Sequence, residues 1–251
     1  MYSIKALKNS HLEADGPAMF FQSKQFERIQ VFGYLWLVRG QGLTVAIDSG
    51  IGDPVGEDGP EAQGYAGFQC DPGEDTDSLL RGEGVTPDQV DYLILTHLHW
   101  DHCVNTKLFT NAKIVVSRRG LASVVTPRHR GLVPDGLFLR DVISHIVDEA
   151  WVRVILADDE FEVVPGIRTF WVGGHTECSQ AVAVETSKGT AVFGGDTVFM
   201  YENIESDIPV GYTGNLAECY LAMERIRREA DIVLPNHVPR VLERHPGGEV
   251  A

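Results

Sequence analysis

The sequence Thr-His-Leu-His-Trp-Asp-His, THLHWDH at residues 96–102, places three histidines and an aspartate within six consecutive positions. The whole chain has only 9 histidines in 251 residues, so the cluster is dense. It directly follows a continuous apolar run that ends at Leu95, which is typical of a buried strand. Packing gives no reason to gather four polar groups there, and imidazole and carboxylate groups bind Zn²⁺ and similar ions. The stretch therefore predicts a metal site at a strand end.

Composition and charge narrow the class of protein. Acidic residues outnumber basic ones 36 to 21, which argues against nucleic acid as a partner because nucleic-acid-binding proteins cluster Lys and Arg. The N-terminus lacks the apolar segment of a signal peptide, and apolar runs such as 31–38 are too short to span a membrane. Four widely spaced cysteines without a CxxC pair predict reduced thiols. We therefore expect a cytoplasmic protein that acts on a small molecule and does not contact membranes.

Strands dominate the predicted secondary structure. Apolar runs at 31–38 and 43–50 flank a turn at 39–42 and predict a hairpin. Further strands are predicted at 113–117, 151–157, 161–166, 167–174, 180–186, 190–196 and 231–237. Two irregular stretches, 53–75 and 126–148, are expected to select the substrate, because long loops in compact domains are often functional.

Helices are predicted between the groups of strands. The segment 215–229 has Asn215 as its N-cap and an apolar face that contains Leu216, Tyr220, Met223 and Ile226. A shorter helix is predicted near residues 76–81 and another over 118–125. This mixture favours a layered α/β or α+β architecture, and we expect one domain over residues 1–251.

Three residues downstream repeat the arrangement of the cluster. His175, Asp196 and His237 each follow an apolar strand, in the sequences WVGGHT, VFGGDT and IVLPNH. Open α/β folds assemble their sites from residues at the C-terminal ends of strands. We therefore predict that the three residues join the cluster in one site.

The order HLHWDH at 97–102, followed by His175, Asp196 and His237, resembles the metallo-β-lactamase superfamily. The resemblance implies an α+β fold, an αββα four-layer sandwich in which two mixed β-sheets are flanked by helices. It further implies two metal sites: the first formed by His97, His99 and His175, the second by Asp101, His102 and His237, with Asp196 bridging both. Asp48, in the DSG element at 48–50, would orient a ligand histidine.

The complete ligand set predicts a dinuclear hydrolase. Two divalent ions, Zn²⁺ in the first instance with iron or manganese as alternatives, would hold a bridging hydroxide that attacks a carbonyl. The resemblance assigns to Asp101 the catalytic role of positioning this hydroxide and carrying a proton to the leaving group. An ester-like bond is the expected target.

Within the superfamily the chain is most similar to the N-acyl-homoserine lactonase branch, with two departures. Those lactonases usually have a tyrosine three residues after the bridging aspartate, whereas this chain has Phe199, which carries no hydroxyl. Tyr201, two positions further, would face the same side if it lay on a strand. The second departure is Cys178, in a stretch where the family commonly has Pro-Gly-His. His129, Phe138, Phe199 and Tyr201 are the predicted substrate contacts.

Other functions are compatible with the same residues. The substrate could instead be a thioester or an amide, and a mononuclear-iron sulfur dioxygenase shares the fold. A metal-dependent binding module without turnover is a third alternative. The sequence leaves open the natural substrate, the metal used in the cell, and whether the chain forms a homodimer.

Overall fold

The computed structural model of the protein describes residues 1–23, 27–51 and 67–251. Strands within these ranges form two β-sheets, one of six strands and one of five. Both sheets combine parallel and antiparallel pairs. The histidine cluster follows a strand of the first sheet, and the downstream residues follow strands of the second, so the relative placement of the two sheets decides the site.

The spatial order of the first sheet follows the chain. Its strands are β1 (Ser3–Asp15), β2 (Arg28–Gly40), β3 (Leu43–Ile47), β4 (Tyr92–Ile94), β5 (Lys113–Ser117) and β6 (Val154–Ala157). The first three pair antiparallel, and β3 to β6 pair parallel. The predicted turn joins β2 to β3, where Gln41 and Gly42 both have positive φ angles, 53° and 77°. Two consecutive positive φ angles match the twist of a two-residue hairpin.

The second sheet is antiparallel except at one edge. Its strands are β7 (Glu160–Val164), β8 (Ile167–Trp171), β9 (Gln180–Thr186), β10 (Gly189–Phe193) and β11 (Ile232–Leu234). They pair in the order β11-β10-β9-β8-β7, and only β10 and β11 run parallel. The parallel pair brings the C-terminal ends of β10 and β11 to the same edge.

The described residues form eight α-helical segments. They are α1 (Gly16–Met19), α2 (Thr76–Gly82), α3 (Trp100–Cys103), α4 (Arg118–Val125), α5 (Arg140–Val147), α6 (Tyr201–Glu205), α7 (Leu216–Glu229) and α8 (Arg240–Arg244). The predicted cap of α7 is present, because Asn215 Oδ1 accepts the Glu218 N–H at 3.3 Å. None of these helices is long and apolar enough to cross a membrane.

Three apolar clusters fill the spaces between layers. Between the sheets, Trp36 of β2 meets Phe193 of β10 edge to face, with ring centres 5.0 Å apart. On the outer face of the first sheet, Val142 of α5 belongs to the second cluster. On the outer face of the second sheet, Ile226 of α7 belongs to the third. The layers run helix, sheet, sheet, helix, which confirms the predicted αββα sandwich.

Several local predictions were wrong. The stretch 126–148, predicted to be irregular, ends in helix α5. The strand predicted from residue 151 begins only at Val154, because Trp151–Arg153 forms a 3₁₀ turn. On α7 the buried side chains are Cys219, Ala222, Met223 and Ile226, so Tyr220 faces solvent and the apolar face is rotated from the predicted one. Residues 53–66 of the other irregular stretch lie outside the described residues. The single domain and the cytoplasmic location stay predictions.

Candidate metal centre

The predicted ligands from both sheets meet at one place. His97 and His99 follow β4, and Asp101 and His102 lie within α3. His175 follows β8, Asp196 follows β10, and His237 follows β11. All seven residues follow the C-terminal ends of strands, as the apolar runs before them predict.

The seven side chains form two groups that share Asp196. The first group is His97, His99, His175 and Asp196, and the second group is Asp101, His102, Asp196 and His237. Within each group the ligand atoms lie within 4.8 Å of one another. Asp196 Oδ2 faces the first group, 3.5 Å from His97 Nε2 and 3.4 Å from His175 Nε2. Its Oδ1 faces the second group, 3.0 Å from Nε2 of both His102 and His237.

Unsatisfied buried nitrogens indicate what the groups are built to hold. Nε2 of His97 and Nε2 of His102 are buried, and neither makes a hydrogen bond of acceptable geometry within the described residues, although Asp196 Oδ1 lies 3.0 Å from His102 Nε2. Burying polar atoms without partners is costly unless they bind a metal ion. Imidazoles combined with carboxylates suit borderline divalent ions such as Zn²⁺, whereas Ca²⁺ and Mg²⁺ prefer oxygen ligands. The two groups therefore fit divalent metal ions.

Asp48 orients the ring of His102. Its Oδ2 accepts a hydrogen bond from His102 Nδ1 at 2.8 Å, which leaves Nε2 facing Asp101 and Asp196. Its two oxygens also accept the Thr96 N–H at 2.7 Å and the Thr96 hydroxyl at 2.8 Å. Asp48 has a φ of 59°, a conformation that Asp and Asn adopt more readily than most residues. The role implied by the resemblance agrees with these contacts.

Backbone carbonyls orient two further histidines. His237 Nδ1 donates to the Phe32 carbonyl of β2 at 2.9 Å, and His175 Nδ1 donates to the Tyr212 carbonyl at 2.6 Å. Tyr212 lies on a segment that is itself fixed, because the Gly211 N–H donates to the Ala18 carbonyl at 3.0 Å. Both rings therefore direct Nε2 towards Asp196 through contacts that involve no partner side chain.

Burial keeps the histidines of the first group neutral. It lowers the pKa of His99 to about 3, and it lowers the pKa values of His97 and His175 in the same direction. Neighbouring imidazoles, His102 beside His97 and His175 beside His99, add to the effect. A neutral imidazole is the form that binds metal.

The second group is charged in the absence of metal. Burial acts to lower the pKa of His102, but the carboxylates of Asp196, Asp101 and Asp48 hold that pKa well above its usual value. The pKa of His237 is raised too, because Asp196 outweighs burial. Burial acts to raise the pKa of the Asp101 carboxyl, but the charge of His102 outweighs it and lowers that pKa. A metal ion in this group would displace protons.

A cavity of about 800 Å³ opens onto both groups. Its wall includes five of the predicted ligands: His99, Asp101, His175, Asp196 and His237. Most of the remaining wall is apolar, with contributions from β1, α1, β2, α4 and the segment 132–138. Cavities of this size bind small organic molecules, and an apolar wall with a few polar groups at one place fixes their orientation.

Two of the four predicted substrate contacts line this cavity. Phe138 lies edge-on to the His99 ring, with centres 4.7 Å apart, and Phe199 lies 5.1 Å from the His237 ring. His129 and Tyr201 are not among the residues of the cavity wall. Tyr201 begins helix α6 instead of continuing a strand, and the Arg244 guanidinium lies 3.6 Å from its ring centre.

Sequence reasoning missed the wall formed by the start of the chain. Leu12 and Ala14 of β1, with Ala18 and Met19 of α1, line the cavity, and none of them belongs to a predicted motif. It also missed Tyr212. This residue contributes its backbone carbonyl, which every residue type has, so the sequence carries no signal for it. The apolar residues of β1 carried a signal, but the strand pattern alone does not distinguish a cavity wall from a core.

A third group of possible ligands, His11, Asp71 and Glu74, lies away from this centre. The Lys8 ammonium is 3.2 Å from Asp71 Oδ2 and 2.9 Å from Glu74 Oε2. Because the Lys8 ammonium already lies against both carboxylates, the group does not favour a metal ion.

Comparison with known proteins agrees with the fold. Residues 28–237, from the start of β2 to the last predicted ligand, match the metallo-beta-lactamase superfamily. The chain therefore belongs to this superfamily. An N-acyl homoserine lactonase of Bacillus thuringiensis is 26% identical over 164 residues, which are 64% of this chain and 60% of that protein. The human metallo-beta-lactamase domain-containing protein 1 is 32% identical over 164 residues, 64% of this chain and 52% of that protein.

Solved structures extend the similarity to nearly the whole chain. An N-acyl homoserine lactone hydrolase with the product N-hexanoyl-L-homoserine bound at its metal centre aligns with a TM-score of 0.78 at 18% identity, covering 96% of this chain and 95% of that one. A dizinc quorum-quenching lactonase aligns with a TM-score of 0.73 at 14% identity, covering 98% and 89%. At these identities the alignments establish the shared fold.

Proposed function

We propose that this chain is a metal-dependent hydrolase that opens the ester bond of a lactone bearing an apolar chain. The observation that carries the proposal is Asp196, whose two carboxylate oxygens face two separate ligand groups at the wall of an apolar cavity. The lactonases to which the chain is similar support the choice of a lactone. The complete second group supports two ions, and so counts against a mononuclear-iron dioxygenase.

The ligand groups assign a place to each ion. His97, His99 and His175 would hold one, Asp101, His102 and His237 the other, and Asp196 would bind both. Zn²⁺ is the proposed metal because imidazole and carboxylate groups suit it. Two such ions, when bound, supply a nucleophile derived from water at neutral pH and polarise the carbonyl under attack.

Asp101 is the carboxylate placed to handle protons. Its side chain is 13% exposed and reaches the cavity, whereas that of Asp196 is 5% exposed. A carboxylate that binds a metal ion is deprotonated, so an oxygen of Asp101 can accept a proton from the attacking water. The same carboxyl then donates that proton to the leaving oxygen of the opened ring.

The apolar wall selects the rest of the substrate. Phe138 and Phe199 stand beside His99 and His237, so the reacting carbonyl is flanked by rings that donate no hydrogen bond. Exclusion of water by these rings strengthens the electrostatic interactions at the carbonyl. The cavity volume of about 800 Å³ leaves room for an apolar chain beyond the lactone ring. Thioesters and amides are the alternatives that the same centre would attack.

The test combines metal content with turnover. Elemental analysis should give two divalent ions per chain, and a pH indicator should report acid release from lactones with an apolar chain. Asp101→Asn should retain at least the ion of the first group but lose roughly 10³-fold in kcat, since proton transfer contributes about 10²–10⁴-fold. The matched control is Asp158→Asn, which changes an exposed acid paired with Arg118.

Two results would contradict the proposal. One is a single iron per chain with no hydrolysis of lactones, thioesters or amides. The other is full turnover by the Asp101→Asn variant, because hydrolysis would then proceed without the proposed proton carrier.

A further inference from the structure

Leu98 separates the two histidines of the HxH sequence, so its backbone sets the angle between their imidazoles. The Leu98 N–H donates to Cys178 Sγ at 3.4 Å, and Cys103 Sγ donates to the Leu98 carbonyl at 3.5 Å. No oxygen of the described residues accepts this N–H. The peptide groups between two metal ligands are therefore held by sulfur on both sides.

Cys178 connects this turn to the third histidine of the first group. It lies three positions after His175, in a turn closed by the Ser179 N–H, which donates to the Thr176 carbonyl at 3.1 Å. The Thr176 hydroxyl lies 3.1 Å from Cys178 Sγ and 2.8 Å from the Ser179 hydroxyl. The bond from Leu98 to Cys178 thus joins the segment that carries His97 and His99 to the segment that carries His175.

Helix α4 packs against Cys178. A Cβ atom on Gly120 would lie 2.5 Å from both Cα and Cβ of Cys178, so the helix backbone packs directly on this residue. Cys178 and Cys103 are both 2% exposed or less. The sulfur position is therefore fixed by packing as well as by hydrogen bonds.

We propose that Cys178 is a positioning residue, supported by Cys103, that fixes the spacing of His97, His99 and His175 through the Leu98 peptide. The inference rests on the proposed metal-dependent function and deepens it, because it assigns a role to a residue that is not a ligand. Groups that orient metal ligands typically change metal affinity about 10–100-fold when removed. An N–H···S bond lies at the lower end of that range.

Co²⁺ is the probe for this role, because its visible absorption reports the arrangement of its ligands. Competition with a chelator, starting from metal-free protein, gives the affinity of each variant. Cys178→Ala should bind Co²⁺ about tenfold more weakly in one of its two sites, with an altered visible spectrum. Cys178→Ser, whose hydroxyl can accept the Leu98 N–H after a small shift, should recover to within about threefold. Cys103→Ala, which removes a weak S–H donor, should lose about twofold.

The matched control is Val90→Ala. Val90 is 1% exposed and lies in the same apolar cluster as Cys178, but it is not a neighbour of the ligands in sequence. It should lower the melting temperature of the metal-free protein at least as much as Cys178→Ala and leave Co²⁺ binding unchanged. If Cys178→Ala and Val90→Ala change the Co²⁺ affinity by the same amount, Cys178 is only a core residue.

The outcomes separate this inference from the proposed function. If Cys178→Ala folds and binds Co²⁺ with the affinity and spectrum of the unaltered chain, the positioning role is wrong, even when lactone hydrolysis is observed. If the unaltered chain binds two Co²⁺ ions but hydrolyses no ester, the proposed function fails and the Co²⁺ measurements still decide the role of Cys178.

Discussion

The two ligand groups are built differently although they share Asp196. The first group contains three histidines whose pKa values are lowered by burial, so it is neutral apart from the shared carboxylate. The second group adds the carboxylate of Asp101 and lies against that of Asp48. Burial acts to lower the pKa of His102, but Asp196 together with these two carboxylates raises it. One half of the centre is thus ready to accept a metal ion, whereas the other must first release protons.

This contrast teaches that one centre can divide its tasks by charge. A neutral group binds an ion with little competition from protons over a wide pH range. A charged group beside the cavity places a carboxylate where protons must move during the reaction. If the first and second groups are distinct, they should respond differently to substitution and to pH.

Asp196→Asn should have the largest effect, because this residue belongs to both halves. Loss of a shared carboxylate weakens both ions and removes several kcal/mol of transition-state stabilisation, so we expect kcat/KM to fall by about 10³–10⁴-fold. Elemental analysis and lactone hydrolysis measure the two effects. Asp207→Asn, at an exposed acid paired with Arg227, is the control and should change neither. Retention of two ions by Asp196→Asn would show that the groups do not depend on a shared ligand.

Asp48→Asn should affect the second group more than the first. The amide would no longer offer a carboxylate to His102 Nδ1, and the substitution suits the backbone because Asn also tolerates a φ of 59°. We expect one of the two Zn²⁺ ions to bind about 10–100-fold more weakly, measured by chelator competition. Asp91→Asn is the matched control, since Asp91 accepts the Thr44 N–H in the same sheet without touching the centre. If the affinities of both Zn²⁺ ions fell equally, the two ligand groups would not be distinct.

Acidification should release the ions one after the other. The pKa of His102 is raised in the metal-free protein, so protons compete with metal as the pH falls below that pKa, and affinity drops by about tenfold per pH unit for each displaced proton. The pKa of His99 is about 3, so its imidazole stays neutral between pH 8 and 5 and competes little. Metal affinity measured across this range should therefore fall steeply for one ion and weakly for the other. Parallel slopes would refute the comparison.

That the seven proposed ligand side chains lie together was predictable because the signal is carried by residue type and position. Histidine and aspartate after apolar strands are rare enough that His175, Asp196 and His237 stand out without a structure. The fold followed from the same residues, since their order identifies the superfamily. The hairpin at 39–42 was equally visible, because Gly42 follows a short polar turn between two apolar runs.

What the sequence did not give depends on contacts between distant segments. Tyr201 follows apolar residues that suit a strand, but Asn203 Oδ1 accepts the Met200 N–H at 2.7 Å and starts helix α6 instead. The orientation of His175 depends on the carbonyl of Tyr212, and any residue type supplies a carbonyl. The bond between Cys178 and Leu98 joins positions 80 residues apart, so no local pattern indicates it.

Because the proposed ligands come from both sheets, a bound metal ion would cross-link the two sheets of the sandwich. An ion that binds only the folded chain stabilises it by an amount that grows with the ion's free concentration, about 4 kcal/mol at a thousandfold excess over the dissociation constant. That amount is a large share of the usual stability of a domain. The abundance of the folded protein would therefore follow the supply of metal, independently of any demand for its catalysis.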